Sequence, residues 1–237
     1  MTDSKVLVVA PVWNEAGKVG RVIDDLQQHT KYDILVVDDG STDQTAEVGR
    51  SKGCIVIRHP VNLGVGAAIR TAIKYAIQQD YDILVVVSGT GKTPAESIPL
   101  LVTPILAEGY DFVQGSRYLA GSRLENLPLH RSIGTRLYSA LFSLFLGRTV
   151  TDGTSGFRAL RATMLKDPRF LFDQPWLNRY ELEPYLYYKS VEFGYRLKEV
   201  PVTILYPTAK DYTKMRILVD WWRIVRPLFY LKLGIKK

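Results

Sequence analysis

Short runs of apolar residues alternate with amphipathic segments through the first half of the chain. Each run is rich in Val, Ile and Leu, which predicts strands at 6–11, 33–37, 54–58, 83–87 and 111–114. The segments between them place apolar residues at helical spacing, which predicts helices at 18–28, 42–51, 64–79 and 97–107. Apolar strands that alternate with helices indicate an α/β fold with a mostly parallel sheet that is buried on both faces.

The second half of the chain has a less regular pattern. The stretch 118–131 contains Gly121 and Pro128 and is predicted to be a loop. A strand is predicted at 196–204, where Pro201 indicates a position at the edge of the sheet. Helices are predicted at 132–146, 161–167, 180–193 and 215–233, the last of them interrupted at Pro227.

Composition limits the class of protein. The chain has 237 residues, of which 46% are apolar and 23% are charged, and this excludes a disordered chain. A single cysteine, Cys54, excludes an internal disulfide and a zinc site built from several thiolates. No uncharged apolar stretch reaches the roughly 18–20 residues that a membrane span needs, and we find no signal peptide. We therefore expect a cytoplasmic protein that is soluble or bound at a membrane surface.

The net charge of +7 is distributed unevenly along the chain. Residues 1–114 carry a net charge of −4, 115–170 carry +6, 171–203 carry −1 and 204–237 carry +6. Two basic blocks indicate an anionic partner such as a phosphate group, a nucleic acid or a membrane surface, and a solvated basic face is the alternative. Because no nucleic-acid-binding motif accompanies them, we expect no nucleic-acid partner.

Polar residues follow the first two predicted strands. Asn14 and Glu15 come after the first strand, and Asp38 and Asp39 end the second. In a parallel sheet, ligands bind beyond the carboxyl ends of the strands, and carboxylates there can accept hydrogen bonds from a ribose or a base. Taken singly, each motif is more typical of a capped turn. Their position at neighbouring strand ends favours a binding site.

These strand ends belong to an ordered set of motifs. The set is Pro-x-x-Asn-Glu at 11–15, Val-Asp-Asp-Gly-Ser-Thr-Asp at 37–43, Asn-x-Gly-x-Gly-x-Ala at 62–68, Gly-Ser-Arg-Tyr at 115–118 and Thr-Ser-Gly-Phe-Arg at 154–158. In order and spacing it resembles family 2 glycosyltransferases of the GT-A fold. Together with the predicted strand near 195–202, it is most similar to dolichol-phosphate mannose synthase and related polyprenyl-phosphate glycosyltransferases. The resemblance covers roughly residues 5–215.

The resemblance implies a nucleotide-diphosphate sugar as donor and an inverting displacement at the anomeric carbon. It implies that Asp39 is directed toward the base and that Gly66 permits a close approach near the donor. The residues that it implies for the nucleotide-sugar site are Pro11, Asn14, Glu15, Asp38, Asp39, Gly66, Ser88 and Thr90.

The resemblance also implies a basic acceptor side. Arg117 and Arg131 match positions that hold the acceptor phosphate or the donor diphosphate, and guanidinium groups can bind phosphate oxygens bidentately. Asp152, just before the Gly-Thr-Ser-Gly turn, is the best candidate for a polar contact to the sugar or the acceptor. Because a polyprenyl phosphate is already an anion at neutral pH, the acceptor needs no strong general base.

The chain departs from the family pattern after the fourth predicted strand. The family has Asp-x-Asp there, and its carboxylates hold Mg²⁺ or Mn²⁺ on the donor diphosphate, whereas this chain has Ser88 and Thr90. Neutral hydroxyls do not replace carboxylates as ligands of a hard cation, so we predict no metal site and doubt a Mg²⁺ or Mn²⁺ cofactor. One hypothesis is that Lys92 and nearby amides offset the diphosphate charge. The other is that transfer is lost and the protein only binds nucleotide sugar or lipid phosphate.

The end of the chain is basic and aromatic. We predict a glycosyltransferase domain at 1–209 and a separate helical segment at 210–237. Tryptophan and tyrosine suit the lipid headgroup level, and lysine and arginine suit anionic lipid, so we predict a peripheral enzyme on the cytoplasmic face of a membrane. One alternative is a helix that packs on the domain with a basic outer face. Another is a transferase with a soluble acceptor, in which this helix mediates dimerisation.

Overall fold

A computed structural model describes residues 4–206 and 217–237. The strands in these residues are β1 (Val6–Val12), β2 (Asp33–Asp38), β3 (Ile55–Arg58), β4 (Ile83–Val86), β5 (Phe112–Ser116), β6 (Arg123–Glu125), β7 (Arg158–Arg161), β8 (Leu197–Pro201) and β9 (Thr203–Leu205). The α-helices are α1 (Ala16–His29), α2 (Thr45–Ser51), α3 (Val65–Gln78), α4 (Ile98–Glu108), α5 (Leu129–Leu146), α6 (Ala162–Leu165), α7 (Leu182–Glu192) and α8 (Ile217–Lys232).

Seven of these strands form one sheet, in the order β3-β2-β1-β4-β7-β5-β8. All its pairings are parallel except those of β7, which runs antiparallel to both β4 and β5. The predicted α/β fold with a mostly parallel sheet is therefore confirmed. Strands β6 and β9 pair with each other beside it. Strand β8 lies at the edge, as Pro201 at its end indicates.

The side chains of the sheet alternate between two hydrophobic cores. In β1, Leu7 and Val9 face the core formed with α3, α5, α7 and α8, whereas Val6 and Val8 face the core formed with α1 and α4. A strand buried on both faces needs apolar residues at every position. This explains why the central strands are unbroken Val, Ile and Leu runs.

Helix α8 is part of the main fold. Ile224, Leu228 and Leu231 are buried in the same core as α7, and the ring of Trp221 packs against Tyr138 of α5. The predicted boundary at 209/210 and the basic residues Lys210, Lys214 and Arg216 lie outside the described residues. Within the described residues, α8 runs through Pro227 without interruption. No helix in the described part of the chain is long and apolar enough to cross a bilayer.

Three predicted elements in the second half are wrong in part. The predicted loop at 118–131 contains β6, and α5 begins at Leu129, directly after Pro128, because proline suits a helix start. The predicted helix at 161–167 is only the short α6, and the preceding residues form β7, in which two arginines flank an apolar pair. The predicted strand at 196–204 is interrupted at Val202, so that β8 pairs with β5 and β9 pairs with β6.

Helix α2 begins three residues later than the predicted start at Thr42. The residues before it hold the turn instead: Asp43 accepts hydrogen bonds from the backbone N–H of Thr45 (3.0 Å) and of Ala16 (3.1 Å). Ser41, one of the predicted caps, accepts a hydrogen bond from the backbone N–H of Asn14 (2.8 Å). Ser41 therefore joins the ends of β1 and β2, whereas Asp43 binds the first N–H groups of both α1 and α2.

Candidate active site

A cavity of about 650 Å³ opens beyond the carboxyl ends of β1, β2 and β4. This is the edge of an α/β sheet where ligands bind. Its other walls come from the start of α3, the turn before β7, the segment that leads into α7, the end of β9, and α8. The predicted site residues that line the cavity are Pro11, Glu15, Asp39, Ser88, Thr90, Lys92, Arg117 and Arg131.

Asp39 is fixed by three hydrogen bonds. Its Oδ1 accepts from the backbone N–H of Leu63 (2.9 Å) and faces Nδ1 of His59 (2.8 Å), while Oδ2 accepts from the backbone N–H of Gly64 (2.7 Å). Nε2 of His59 lies 2.9 Å from Oγ1 of Thr71 on α3. The carboxylate is thus held at the cavity wall in one orientation before any ligand binds.

Asp38 and Asn14 support the same wall but do not line the cavity. Asp38 is completely buried, accepts the backbone N–H of Ser41 (2.9 Å) and lies 3.3 Å from Nε of Arg58, and it does not line the cavity. Asn14 adopts a positive φ of 51° and its Oδ1 accepts the backbone N–H of Thr42 (2.8 Å). Both residues therefore support the wall, and the contact to the nucleotide sugar that the resemblance implies for them stays a prediction.

Gly66 is also outside the cavity lining. A Cβ at this position would lie 2.1 Å from the backbone oxygen of Leu177 and 2.4 Å from that of Arg179. The backbone oxygen of Asn178, between them, accepts the N–H of Ala67 (2.8 Å). The missing side chain therefore gives room to the chain segment before α7, and the close approach near the donor expected from the resemblance stays a prediction.

The position of the family's metal site carries no carboxylate. Oγ of Ser88 and Oγ1 of Thr90 lie 2.8 Å apart and hydrogen-bond to each other after β4. Among residues 4–206 and 217–237, no group of three His, Cys, Asp or Glu side chains could hold a metal ion. Since Mg²⁺ and Mn²⁺ need hard oxygen ligands, usually with carboxylates among them, the residues here do not fit a divalent cation.

Lys92 brings a positive charge to this part of the cavity. Burial, reinforced by the positive charge of Arg131 and opposed by Glu15, lowers the pKa of Lys92 to about 8. The backbone oxygen of Lys92 accepts the N–H of Leu205 (2.7 Å), which ties the loop after β4 to β9. The lysine is therefore mostly protonated at neutral pH and anchored at its backbone.

Arg117 forms a buried bidentate pair with Asp152. Its Nε donates to Oδ2 (2.6 Å) and its Nη2 to Oδ1 (2.6 Å), and Nη2 also donates to Thr154. Burial disfavours the guanidinium charge, but the Asp152 carboxylate outweighs it and raises the pKa of Arg117. Asp152 is completely buried and does not line the cavity. Its carboxylate therefore orients Arg117, and the contact to sugar or acceptor expected from the sequence stays a prediction.

Tyr206 lies among the cations of the cavity. Nη1 of Arg117 donates to its hydroxyl (2.7 Å), Cζ of Arg131 lies 5.5 Å from the ring centroid, and Nζ of Lys92 lies 5.6 Å from it. The residue is buried and follows β9 directly. Its role could not be predicted from sequence, because its three cationic neighbours are distant in the chain and no local pattern marks it.

Two acidic residues of the cavity were also missed. Glu183 is paired with Arg158 of β7 (3.0 Å), and burial raises the pKa of its carboxyl against the effect of that arginine. Asp220 of α8 is paired with Arg223 (2.8 Å). The only sequence signal was that a predicted helix carried Glu183, so the position of its carboxylate at the cavity could not be anticipated.

Comparison with known proteins identifies the family. The sequence profile of Glycosyl transferase family 2 matches residues 7–167, which include the walls formed by the ends of β1, β2 and β4. The chain belongs to this family. It is a glycosyltransferase, and the resemblance stated from its motifs is confirmed.

Several relatives of this glycosyltransferase are similar over most of its length. An uncharacterized protein of Methanocaldococcus jannaschii is 34% identical over 206 residues, covering 87% of this chain and 84% of its own. The UDP-N-acetylglucosamine–dolichyl-phosphate N-acetylglucosaminyltransferase of Methanococcus voltae is 28% identical and covers 99% and 98%. A dolichyl-phosphate hexose transferase of Haloferax volcanii is 30% identical and covers 85% and 83%.

The fold is also found in solved structures. A crystal structure of glucosyl-3-phosphoglycerate synthase from Mycobacterium tuberculosis with phosphoglyceric acid has a TM-score of 0.73 to this chain. The match covers 99% of this chain and 82% of the synthase, at 22% identity. At this identity the likeness establishes the shared fold.

Proposed function

We propose that this glycosyltransferase moves a sugar from a nucleotide-diphosphate donor to a polyprenyl phosphate at a membrane surface. The observation that carries the proposal is the cavity itself. A carboxylate wall around Asp39 stands with three converging cations, Lys92, Arg117 and Arg131. The names of two relatives, which act on dolichyl phosphate, support the same acceptor class.

In this proposal Asp39 binds the nucleoside, and the three cations bind the phosphate groups. The fixed carboxylate can accept hydrogen bonds from a base or ribose. Lys92 and Arg131 can hold the donor diphosphate and the acceptor phosphate close together, with Arg117 oriented by its bond to Asp152. Bringing the two anions together in a fixed geometry is itself a large part of catalysis.

The transfer is a single displacement in this proposal. An oxygen of the acceptor phosphate forms a bond to the anomeric carbon, and the bond between that carbon and the donor's β-phosphate oxygen breaks. The electron pair of the broken bond leaves on the nucleoside diphosphate. Positive side chains stabilise the charge that develops on this leaving group. The anionic acceptor needs no proton removed, so no general base is assigned.

The reaction is proposed to need no divalent cation. The hydroxyls of Ser88 and Thr90 stand in place of the family's two carboxylates, and Lys92 stands near them in the same cavity. A lysine carries a smaller charge than Mg²⁺ but acts at the same developing negative charge. We expect transfer to continue in excess EDTA.

The membrane surface is proposed to contact α5 and α8. Helix α5 exposes Leu129 (76%), Ile133, Leu137 and Leu144 (78%) along one face. Spacings of four and seven residues place these side chains in one stripe. Exposed apolar residues on α8 and beyond it are Val219, Trp222, Phe229, Leu233 and Ile235.

The two exposed faces belong to neighbouring helices. Phe145 of α5 packs edge-to-face on Phe229 of α8 (5.0 Å between centroids), and Gly134 leaves room for Trp221. Exposed Arg136 and three terminal lysines add positive charge that suits anionic lipid. Helix α5 also carries Arg131 into the cavity, so an acceptor phosphate at the membrane surface would lie near the site.

The experiment uses the full chain with a panel of nucleotide-diphosphate sugars. Release of nucleoside diphosphate is measured with and without polyprenyl phosphate in phosphatidylglycerol vesicles, each with and without EDTA. Release that requires the lipid and persists in EDTA is expected. Release without lipid indicates a soluble acceptor, absence of release with every donor indicates a binding protein, and loss in EDTA contradicts metal independence.

A second measurement tests the membrane surface. Replacing Leu137 and Leu144 by serine is expected to weaken co-sedimentation with phosphatidylglycerol vesicles about thirtyfold, because each exposed leucine contributes about 1 kcal/mol when inserted. The control replaces Leu100 and Leu106, exposed leucines of α4 on the other side of the sheet, by serine. Equal losses in the two pairs would contradict the assigned surface.

A further inference from the structure

The cations of the cavity are close together although they repel one another. Lys92, Arg117 and Arg131 come from three separate chain segments, yet all three contact one aromatic residue, Tyr206. Bringing like charges together costs free energy unless something offsets it. Burial is the main cause of the lowered pKa of Lys92, and the positive charges of Arg131 and Arg117 lower it further.

Tyr206 offsets that cost in two ways. The negative face of its ring attracts the side chains of Lys92 and Arg131, at 5.6 Å and 5.5 Å. Its hydroxyl accepts a hydrogen bond from Nη1 of Arg117, whose other side is bound to Asp152. The tyrosine is thus in contact with every one of the three cations through chemistry that does not neutralise their charge.

The position of Tyr206 is itself well determined. Its backbone N–H donates to the backbone oxygen of Glu125 at the end of β6 (3.1 Å), and its backbone oxygen accepts from the side-chain amide of Asn126 (3.3 Å). The N–H of the preceding residue, Leu205, donates to the backbone oxygen of Lys92. The small β6–β9 sheet therefore holds the tyrosine at the base of the loop that carries Lys92.

We propose that Tyr206 is a positioning residue that assembles Lys92, Arg117 and Arg131 into one preformed phosphate-binding cluster. The inference rests on the proposed function and deepens it, because it names what organises the charge that replaces the metal. A carboxylate in the same place would hold the cations too, but it would cancel part of the charge that binds phosphate. An aromatic ring holds them and leaves their charge available to a diphosphate.

The test measures binding of inorganic pyrophosphate to the full chain by calorimetry in EDTA. Y206L removes both ring and hydroxyl and is expected to weaken binding about tenfold, because Lys92 and Arg131 lose the ring that attracts them and Arg117 loses its hydrogen bond. Y206F keeps the ring and is expected to lose about threefold. Y110L is the matched control, because Tyr110 lies under Arg196 and Lys198 away from the cavity. It is expected to leave binding unchanged.

Thermal melting establishes that each variant is folded. Wild-type affinity in a folded Y206L, equal losses in Y206L and Y110L, or absence of pyrophosphate binding by the wild-type chain would each overturn the proposal. If Y206L does not fold, Y206F decides: unchanged affinity overturns the role of the hydroxyl in holding Arg117. Turnover is a separate measurement, so pyrophosphate binding without any transfer would refute the proposed function and leave the cluster standing.

Discussion

The two walls of the cavity are held in place by different parts of the chain. On the wall around Asp39, which we propose to bind the nucleoside and call the nucleoside wall, Asp39 takes two of its hydrogen bonds from the backbone N–H groups of Leu63 and Gly64. On the cation wall, Arg117 is held by the side chains of Asp152 and Tyr206. Backbone donors persist whatever the side chains are, whereas a wall built from side chains changes with substitution. The departure from the family pattern, at Ser88 and Thr90, lies in the cavity beside Lys92 of the cation wall.

The largest effect is expected from a substitution that removes the side-chain support of the cation wall, which consists of Lys92, Arg117 and Arg131. Asp152→Asn leaves Arg117 buried without its carboxylate, and breaking a buried ion pair in this way costs about 3 kcal/mol or more. For a chain of this size that lowers the melting temperature by about 10 °C. Differential scanning calorimetry measures it. A melting temperature within about 2 °C of wild type would show that the wall does not depend on this pair.

The next largest effect is expected from a substitution that removes a charge of the cation wall and leaves the pair of Arg117 with Asp152 intact. Lys92→Ala is expected to lower the transfer rate about 100-fold, as loss of one group that stabilises a developing anion commonly does. Lys92→Arg keeps the charge and is expected to retain most activity. Steady-state kinetics in EDTA measure the rates. Wild-type rates in Lys92→Ala would remove the lysine from the mechanism.

A smaller effect is expected from the nucleoside wall. Asp39→Asn removes a charged hydrogen-bond acceptor from the cavity, which is expected to weaken binding of the nucleoside diphosphate product about tenfold. Asp38→Asn is the matched control, because Asp38 is adjacent in the chain but does not line the cavity. Titration calorimetry compares the two variants. A loss of affinity that is as large for Asp38→Asn contradicts the assignment of Asp39 to the ligand.

The smallest effect is a pH dependence that separates the two walls. The pKa of Lys92 lies at about 8, below its ordinary value of 10.5, so the lysine loses its charge as pH rises through 8. Binding of pyrophosphate is expected to weaken several-fold between pH 7 and pH 9. A nucleoside without phosphate should bind equally at both, since it needs only the Asp39 wall. A flat pyrophosphate profile would contradict the part assigned to Lys92.

The lowered pKa of Lys92 weakens phosphate binding as pH rises, but it has the opposite effect on the stability of the fold. Between pH 8 and pH 10.5 the unfolded chain keeps the Lys92 proton and the folded chain does not, so the unfolded state binds more protons. This lysine therefore makes the folded, ligand-free protein relatively more stable as pH rises through that interval. Denaturant unfolding of wild type and Lys92→Ala across the interval isolates the contribution.

Much of the fold could be predicted from local patterns. Strands β1 to β5 are apolar runs, and the helices between β1 and β5 show clear helical spacing, so these elements were anticipated within a few residues. Strand β7 was not, because an arginine stands at each end of only four residues. Arg158 is buried there and paired with Glu183, a distant residue in the chain, and no local pattern reveals that partner.

The site too could be predicted only in part from sequence. The ends of β1, β2 and β4 could be located from sequence, and they bring Asp39, Ser88 and Lys92 to one cavity. Sequence could not distinguish residues that face the cavity from those that support it, as with Asp38 and Asp152, because both kinds are polar residues at strand ends. That distinction depends on side-chain direction in the folded protein.

The reversed strand β7 has a consequence for the order in which the protein folds. Strands β4 and β5 are separated by only 25 residues in the chain, from Val86 to Phe112, but in the sheet they meet only through β7. During synthesis the first four strands can associate early, whereas the fifth has no neighbour until residue 161 has left the ribosome. The nascent chain therefore completes its nucleoside wall well before its cation wall, and chaperone contact should be longest in the interval between.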